Sequence, residues 1–114
     1  MANLAISKKA DNVLLLDVRQ RTSITDFFLI CSGTTDVQVK AIFDAILNEL
    51  DPPVKPWHVE GEEIRKWILM DFVDVVVHIF QKKEREFYQL ERLWADAHFE
   101  KFEDTLSTPD SSEK

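Results

Sequence analysis

Apolar and polar positions along the 114-residue chain switch between helical and strand periods, and the switches mark the elements. Ala2 to Ala10 predicts a short helix, which Asp11-Asn12 interrupts before a first strand over Val13 to Val18. Phe27-Phe28-Leu29-Ile30-Cys31 is a continuous apolar run, too short for an independent helix and rich in strand formers. It predicts a strand covered on both faces and central in a sheet. Ser32-Gly33-Thr34 ends that strand, and Thr35-x-x-Gln38 has the spacing of a capping box, which opens a helix. Val39, Ile42, Ala45, Ile46 and Leu50 form its apolar stripe, and Pro52 stops it because proline has no N–H and clashes with the preceding turn.

Beyond the rigid Asp51-Pro52-Pro53-Val54-Lys55-Pro56 connection, Trp57 to Glu60 predicts a short edge strand, and Trp67 to Asp71 a further strand. Asp74 to Phe80 predicts another, with Val75, Val77 and Ile79 on one face and Val76, His78 and Phe80 on the other. Phe72-Val73 is poor chemistry for a two-residue hairpin turn, which favours Asn or Gly at positive φ, so a longer loop or a bulge is expected there. The last helix is expected over about Glu84 to Phe99, with Phe87, Leu90, Trp94 and Ala97 along one stripe and Tyr88, Glu91, Arg92 and Ala95 beside it. The pattern amounts to a single α/β domain, residues 1–104, with a mixed sheet of about five strands flanked by helices.

Charge changes this picture mainly at the end of the chain. The net charge is −7, from 14 Lys and Arg against 21 Asp and Glu. Residues 1–94 carry 12 basic and 15 acidic side chains, whereas residues 95–114 carry 2 and 6. From Thr105 the sequence TLSTPDSSEK is polar and predicts a disordered acidic tail over 105–114. An acidic balance argues against a sequence-reading or phosphate-tracking nucleic-acid domain, so a protein partner is the expectation. A single Cys excludes an internal disulfide framework, and with three scattered His leaves no closed zinc site. No export signal or membrane-length apolar run is seen, so a cytoplasmic protein is expected.

Candidate chemistry is thin. Ser32-Gly33-Thr34-Thr35 lies between a strand and a helix, where backbone N–H groups can hold an anion. One Gly without a fuller phosphate-binding pattern favours a plain strand end and helix cap. Asp71 and Asp74 are three apart and point to opposite faces of a strand, which suits turn capping better than a shared metal. Cys31, inside FFLICSG, is expected to be a core residue. His58, His78 and His98 are isolated; for His78 a satisfied core position and a binding face are both open. Trp57, Trp67, Tyr88 and Trp94 stand near charges and are residue types that dominate interfaces. For Trp94 the core is the preferred reading; for Tyr88, an interface.

Several linked motifs recur in one order: Leu15-Leu16-Asp17-Val18, Thr25-Asp26-Phe27 through Ser32-Gly33-Thr34, Glu60-Gly61, Trp67-Ile68-Leu69-Met70-Asp71, Asp74 to Phe80, and Arg85-Glu86-Phe87-Tyr88-Gln89-Leu90-Glu91-Arg92-Leu93-Trp94. In this order they resemble the ribosomal silencing factor family RsfS, also called Iojap, over about Ile6 to Trp94. The resemblance implies a nucleotidyltransferase-like fold without the catalytic set, hence no enzyme and no cofactor. Ser32-Gly33 is not the Gly-Ser loop of those enzymes, nor Asp71-x-x-Asp74 their Asp-x-Asp. It further implies binding to the large ribosomal subunit through ribosomal protein uL14, with little direct nucleic-acid contact. The small subunit would then be kept from joining, and translation repressed when nutrients are scarce. By motif position the partner surface would include Trp67, Asp71, His78, Gln81, Arg85, Tyr88 and Arg92. Two positions depart from the family pattern: Val73 stands where Gly is common, and Arg65 where a small residue is usual. A homodimer off the ribosome is compatible with this role; a ribosome-assembly adaptor and a nucleotide-using transferase are the rival expectations.

Overall fold

The computed structural model describes residues 1–50, 52–93 and 98–102. Helix α1 (Ala2–Ser7) leads into β1 (Asp11–Asp17) and β2 (Phe27–Gly33), followed by α2 (Asp36–Asn48). Then come β3 (His58–Glu60), β4 (Trp67–Asp71) and β5 (Val75–Gln81), two short helices α3 (Lys82–Tyr88) and α4 (Leu90–Leu93), and β6 (His98–Phe102). The six strands form one mixed sheet in the order β3-β4-β5-β2-β1-β6. Among the described strands only the central β2–β5 pair is parallel; the remaining ladders are antiparallel. The α/β expectation therefore holds, with β2 in the middle and β3 at an edge.

The sheet has two unlike faces because its strands alternate. Val13, Leu29, Cys31, Ile68, Met70, Val77 and Ile79 point to the face covered by α2, where Val39, Ile42, Phe43 and Ile46 close the main core. Helix α1 packs on the same side through Ala5. Val39, Ile42, Ala45 and Ile46 of the expected stripe are buried in α2, whereas Leu50 lies beyond the helix end at Asn48; Thr35 caps the helix, its hydroxyl accepting the Gln38 N–H at 3.1 Å. Cys31 is fully buried, and burial pushes its thiol up to about 12, so it packs as a small apolar group. No described helix is long and apolar enough to cross a membrane.

The expected long final helix is corrected. Gln89 adopts the left-handed conformation (φ 47°) and ends α3, and the chain turns back so that β6 pairs with the outer edge of β1. Among the described residues the sheet thus has six strands where about five were expected, because the exposed edge of β1 is satisfied by a fifth ladder. Phe87, expected on a buried stripe, is 79% exposed as a result. Trp94, Ala95, Ala97 and the expected acidic tail lie outside the described residues.

The β4–β5 connection shows how the missing glycine is accommodated. Val73 sits at φ 77°. The Asp74 N–H donates to the Phe72 carbonyl at 2.9 Å and the Phe72 N–H to the Val75 carbonyl at 2.8 Å, so a γ-turn of the positive-φ kind is centred on Val73. Arg65 is likewise at φ 65°. Both departures from the family pattern thus fall where the backbone favours glycine, and a β-branched residue there is strained. Val73→Gly is expected to stabilise the fold by about 1 kcal/mol, relief of strain outweighing the extra freedom of the unfolded chain. A urea midpoint that rises checks this; an unchanged or lower midpoint would argue that the turn is unstrained.

Candidate functional site

The sheet face opposite α2 is built from aromatic rings. Trp67 (β4), His78 and Phe80 (β5) and Phe28 (β2) project to it because they occupy alternating positions of neighbouring strands, with Trp67 paired to Phe80 and Ile30 to His78. Leu16, Val18, Ile30 and Phe80 form a second, smaller buried cluster, with Leu14, Phe28, Trp67 and Leu90 packed against it. Among the described residues only the short α3 and α4 lie near this cluster, and they add Tyr88 to it rather than covering it.

Trp67 is the centre of the arrangement. Its ring stacks on Phe80 at 4.7 Å between centroids and meets Tyr88 at 5.0 Å. Phe87 stands edge-on to Tyr88 at 5.0 Å. Aromatic pairs in these offset and edge geometries hold one another at about 0.5–1.5 kcal/mol each beyond area burial. The face is therefore rigid yet still accessible: Tyr88 is 50% exposed and Phe87 79%.

His78 lies beneath this surface, only 5% exposed. Its Nδ1 accepts the Trp67 indole N–H at 3.1 Å, which places the proton of the neutral ring on Nε2. Phe28 meets the imidazole edge at 5.1 Å. Nε2 is buried and has no hydrogen-bond partner. Of the two readings of His78, the structure gives a core residue that fixes the tryptophan. Burial pulls its pKa from 6.5 down to about 4.

The sign of the resulting pH dependence follows directly. Between pH 6.5 and 4 the unfolded histidine is protonated while the folded one is not, so the unfolded chain binds more protons. Stability present above pH 6.5 is lost as pH falls through that window, by about 2 kcal/mol at pH 5. His78→Phe removes this titration. Urea unfolding at pH 7 and pH 5 is expected to show the parent chain losing about 2 kcal/mol more than the variant; equal losses would contradict the assignment.

The other candidate residues separate into three places. Gln81 sits beside the aromatic centre, its N–H donating to the Lys66 carbonyl at 2.8 Å and its amide to the Arg65 carbonyl at 3.1 Å. Arg85 is buried, with Nη1 donating to the carbonyls of Asn12 at 2.7 Å and Asp11 at 3.3 Å and to the Ser32 hydroxyl at 3.3 Å. Arg92 is exposed and donates to the Gln89 side chain at 2.8 Å. Asp71 lies four residues along β4 from Trp67, about 13 Å away by strand rise. Its carboxylate accepts the Val73 N–H at 2.8 Å, the turn-capping role expected of it. Trp67, His78, Gln81 and Tyr88 are thus brought together, Arg85 and Arg92 lie on a neighbouring edge, and Asp71 is at the far end.

Phe28, Phe80 and Phe87 belong to the face but are absent from the sequence-based set. The alternation of Phe28 with Leu29 in β2 carried the signal for the first of these, but a run apolar at every position conceals which face stays open. The strand–helix loop holds no open anion cradle: the Thr34 N–H donates to Gln38 Oε1 at 2.7 Å, and the same amide donates to the Lys9 carbonyl at 2.7 Å. Among the described residues no group of three or more His, Cys, Asp or Glu side chains converges to hold a metal.

A small α/β domain with one closed sheet face and one aromatic face is built to present a surface. Comparison with known proteins gives that class its family. The family model described as "Ribosomal silencing factor during starvation" matches residues 1–114. A ribosomal silencing factor of Bacillus subtilis is 43% identical over 91 residues, covering 79% of this chain and 77% of the relative. A crystal structure of a protein from Chromobacterium violaceum superposes with a TM-score of 0.78 at 30% identity, covering 82% of this chain and 78% of that one. A mouse protein named for mitochondrial assembly of the ribosomal large subunit is 28% identical over 107 residues, 88% of this chain and 46% of its own length. The chain belongs to the ribosomal silencing factor family, whose names mark it as a regulator of translation associated with the ribosome.

Proposed function

We propose that the chain binds the large ribosomal subunit with its aromatic face, engages ribosomal protein uL14, and so blocks joining of the small subunit. It acts without catalysis, by occupying space, and represses translation in the cytoplasm under nutrient limitation. The observation that carries this reading is the Trp67–Tyr88 pair with Phe87 exposed beside it, on a sheet face that no described long helix covers. Contiguous exposed rings of this kind mark protein interaction sites, and Trp and Tyr are the commonest hot-spot residues.

Charge supports the same partner. A chain of net charge −7 is drawn to a basic ribosomal protein and repelled from RNA phosphate, which favours a protein contact at the centre of the interface. Trp67, Gln81, Tyr88 and Arg92 make the contact surface in this reading. His78 and Arg85 hold it from beneath, and Asp71 fixes the turn at its margin.

A photo-crosslinking residue in place of Tyr88 tests the partner. Irradiation with purified large subunits is expected to join the chain to uL14. Crosslinks to other subunit proteins alone would remove uL14 from the reading. The mouse relative's name favours a second reading, in which the same face serves large-subunit assembly. Preferential binding to incomplete large subunits over mature ones would select it.

A further inference from the structure

A cleft of about 410 Å³ opens beside the aromatic face, at the carboxyl ends of the parallel β2–β5 pair. In open α/β sheets this is where ligands bind, because the backbone leaves the sheet there and neighbouring connections diverge. Among the described residues, Lys82, Arg85 and Arg92 line it, with Glu86 as the one carboxylate. Three cations thus meet in one concavity of a chain whose overall charge is −7. The remaining lining is hydrogen-bonding: Asn12, Ser32 and Gln89.

Local geometry converges these charges. Arg85 forms the fixed floor, since its Nη1 is held by the Asn12 carbonyl at 2.7 Å and the Ser32 hydroxyl at 3.3 Å. Lys82 is the first residue of α3, and Arg92 comes from α4, swung towards it by the left-handed turn at Gln89. Both Lys82 and Arg92 are exposed. Arginine forks fit phosphate oxygens in pairs, and a lysine adds a point charge.

We propose that this cleft binds a phosphate group. Among the described residues its walls carry no aromatic or aliphatic side chain on which a base or ribose would rest, which favours a phosphate over a whole nucleotide as the ligand. The cleft adjoins Tyr88 through α3, and this assigns the phosphate to the RNA backbone of the docked ribosomal particle. That source rests on the docking reading given above; the cleft itself does not. A single phosphate contact at the rim reconciles an acidic protein with an RNA-rich partner.

Two measurements test it. In the first, binding to purified large subunits is followed as salt is raised, for the parent chain, the Lys82→Ala/Arg92→Ala double variant and a Lys55→Ala control. The double variant is expected to bind about tenfold more weakly, with a plot of log affinity against log salt shallower by about 1, as for one lost phosphate contact. The control should keep the parent slope. In the second, the side-chain Nε–H signals of Arg85 and Arg92 are followed by NMR while inorganic phosphate is added, with Arg19 as the reference. Saturable shifts at Arg85 and Arg92 but not at Arg19 support the site. Such shifts with an unchanged salt slope support it too, but make a free anion the ligand. A shallower slope without shifts supports RNA phosphate alone. Unshifted arginines with an unchanged slope overturn the proposal. If the parent chain fails to bind large subunits, the docking reading falls and the phosphate titration alone decides the cleft.

Discussion

Tyr88→Ala is expected to weaken binding to the large ribosomal subunit by about 2–3 kcal/mol, roughly thirty- to 150-fold, with the fold retained. Tyr88 is half exposed, so little core is lost with its ring. It nevertheless contacts both Trp67 and Phe87, which places it at the centre of the accessible rings. A residue so placed meets a partner already held in position, without the entropy cost of ordering a free side chain. Trp67→Ala is a poorer probe, because it also removes the stack on Phe80 and the donor to His78. Tyr88→Phe should retain most of the affinity if ring burial dominates. Unchanged binding of Tyr88→Ala, measured alongside its unfolding midpoint, would move the docking surface elsewhere on the molecule.

The largest effect on stability is expected at Arg85. The β1–β2 ladder shifts register between Asp11 and Leu14, and Asn12 takes a positive φ of 49° there. A bulge of this sort turns carbonyls out of the ladder, and buried carbonyls without donors are costly. The Arg85 guanidinium serves the carbonyls of Asp11 and Asn12 and the Ser32 hydroxyl, and so ties α3 to β1 and β2. Arg85→Ala should therefore destabilise the fold by about 3 kcal/mol, through lost bonds and an unfilled buried site. Arg85→Lys should recover only part of this, since one ammonium cannot reproduce the fork. Chemical denaturation reads both, and a loss below about 1 kcal/mol for the alanine variant would show that the bulge is satisfied without the arginine.

These two residues also show what the sequence discloses. Strands β2, β4 and β5 were legible because short apolar runs rich in Val, Ile and Phe can be satisfied only inside a sheet. Helix α2 was legible from its stripe, its Thr35 cap and Pro52. The aromatic centre was partly legible: Trp67 and Tyr88 stand among charges, and His78 interrupts an aliphatic strand. Arg85 was not, since a charged residue on a helix reads as solvated, and only the tertiary arrangement delivers it to a bulge 73 residues away. The end of α3 escaped for a similar reason. Gln89 carries no mark of a left-handed conformation, and the unpaired edge of β1 that draws residues 98–102 into the sheet is a property of the fold rather than of the local sequence. Arg65 and Val73 were visible only as departures from a family pattern, and their positive φ values explain why smaller residues are usual there.

On the proposed function, this chain prevents subunit joining by occupying the large subunit. The most direct test is co-sedimentation of the purified protein with separated large and small subunits, followed by addition of the other subunit. Selective binding to the large subunit and loss of the joined ribosome are expected, with Tyr88→Ala restoring joining at equal protein concentration. Large-subunit binding that leaves joining undiminished would contradict this function.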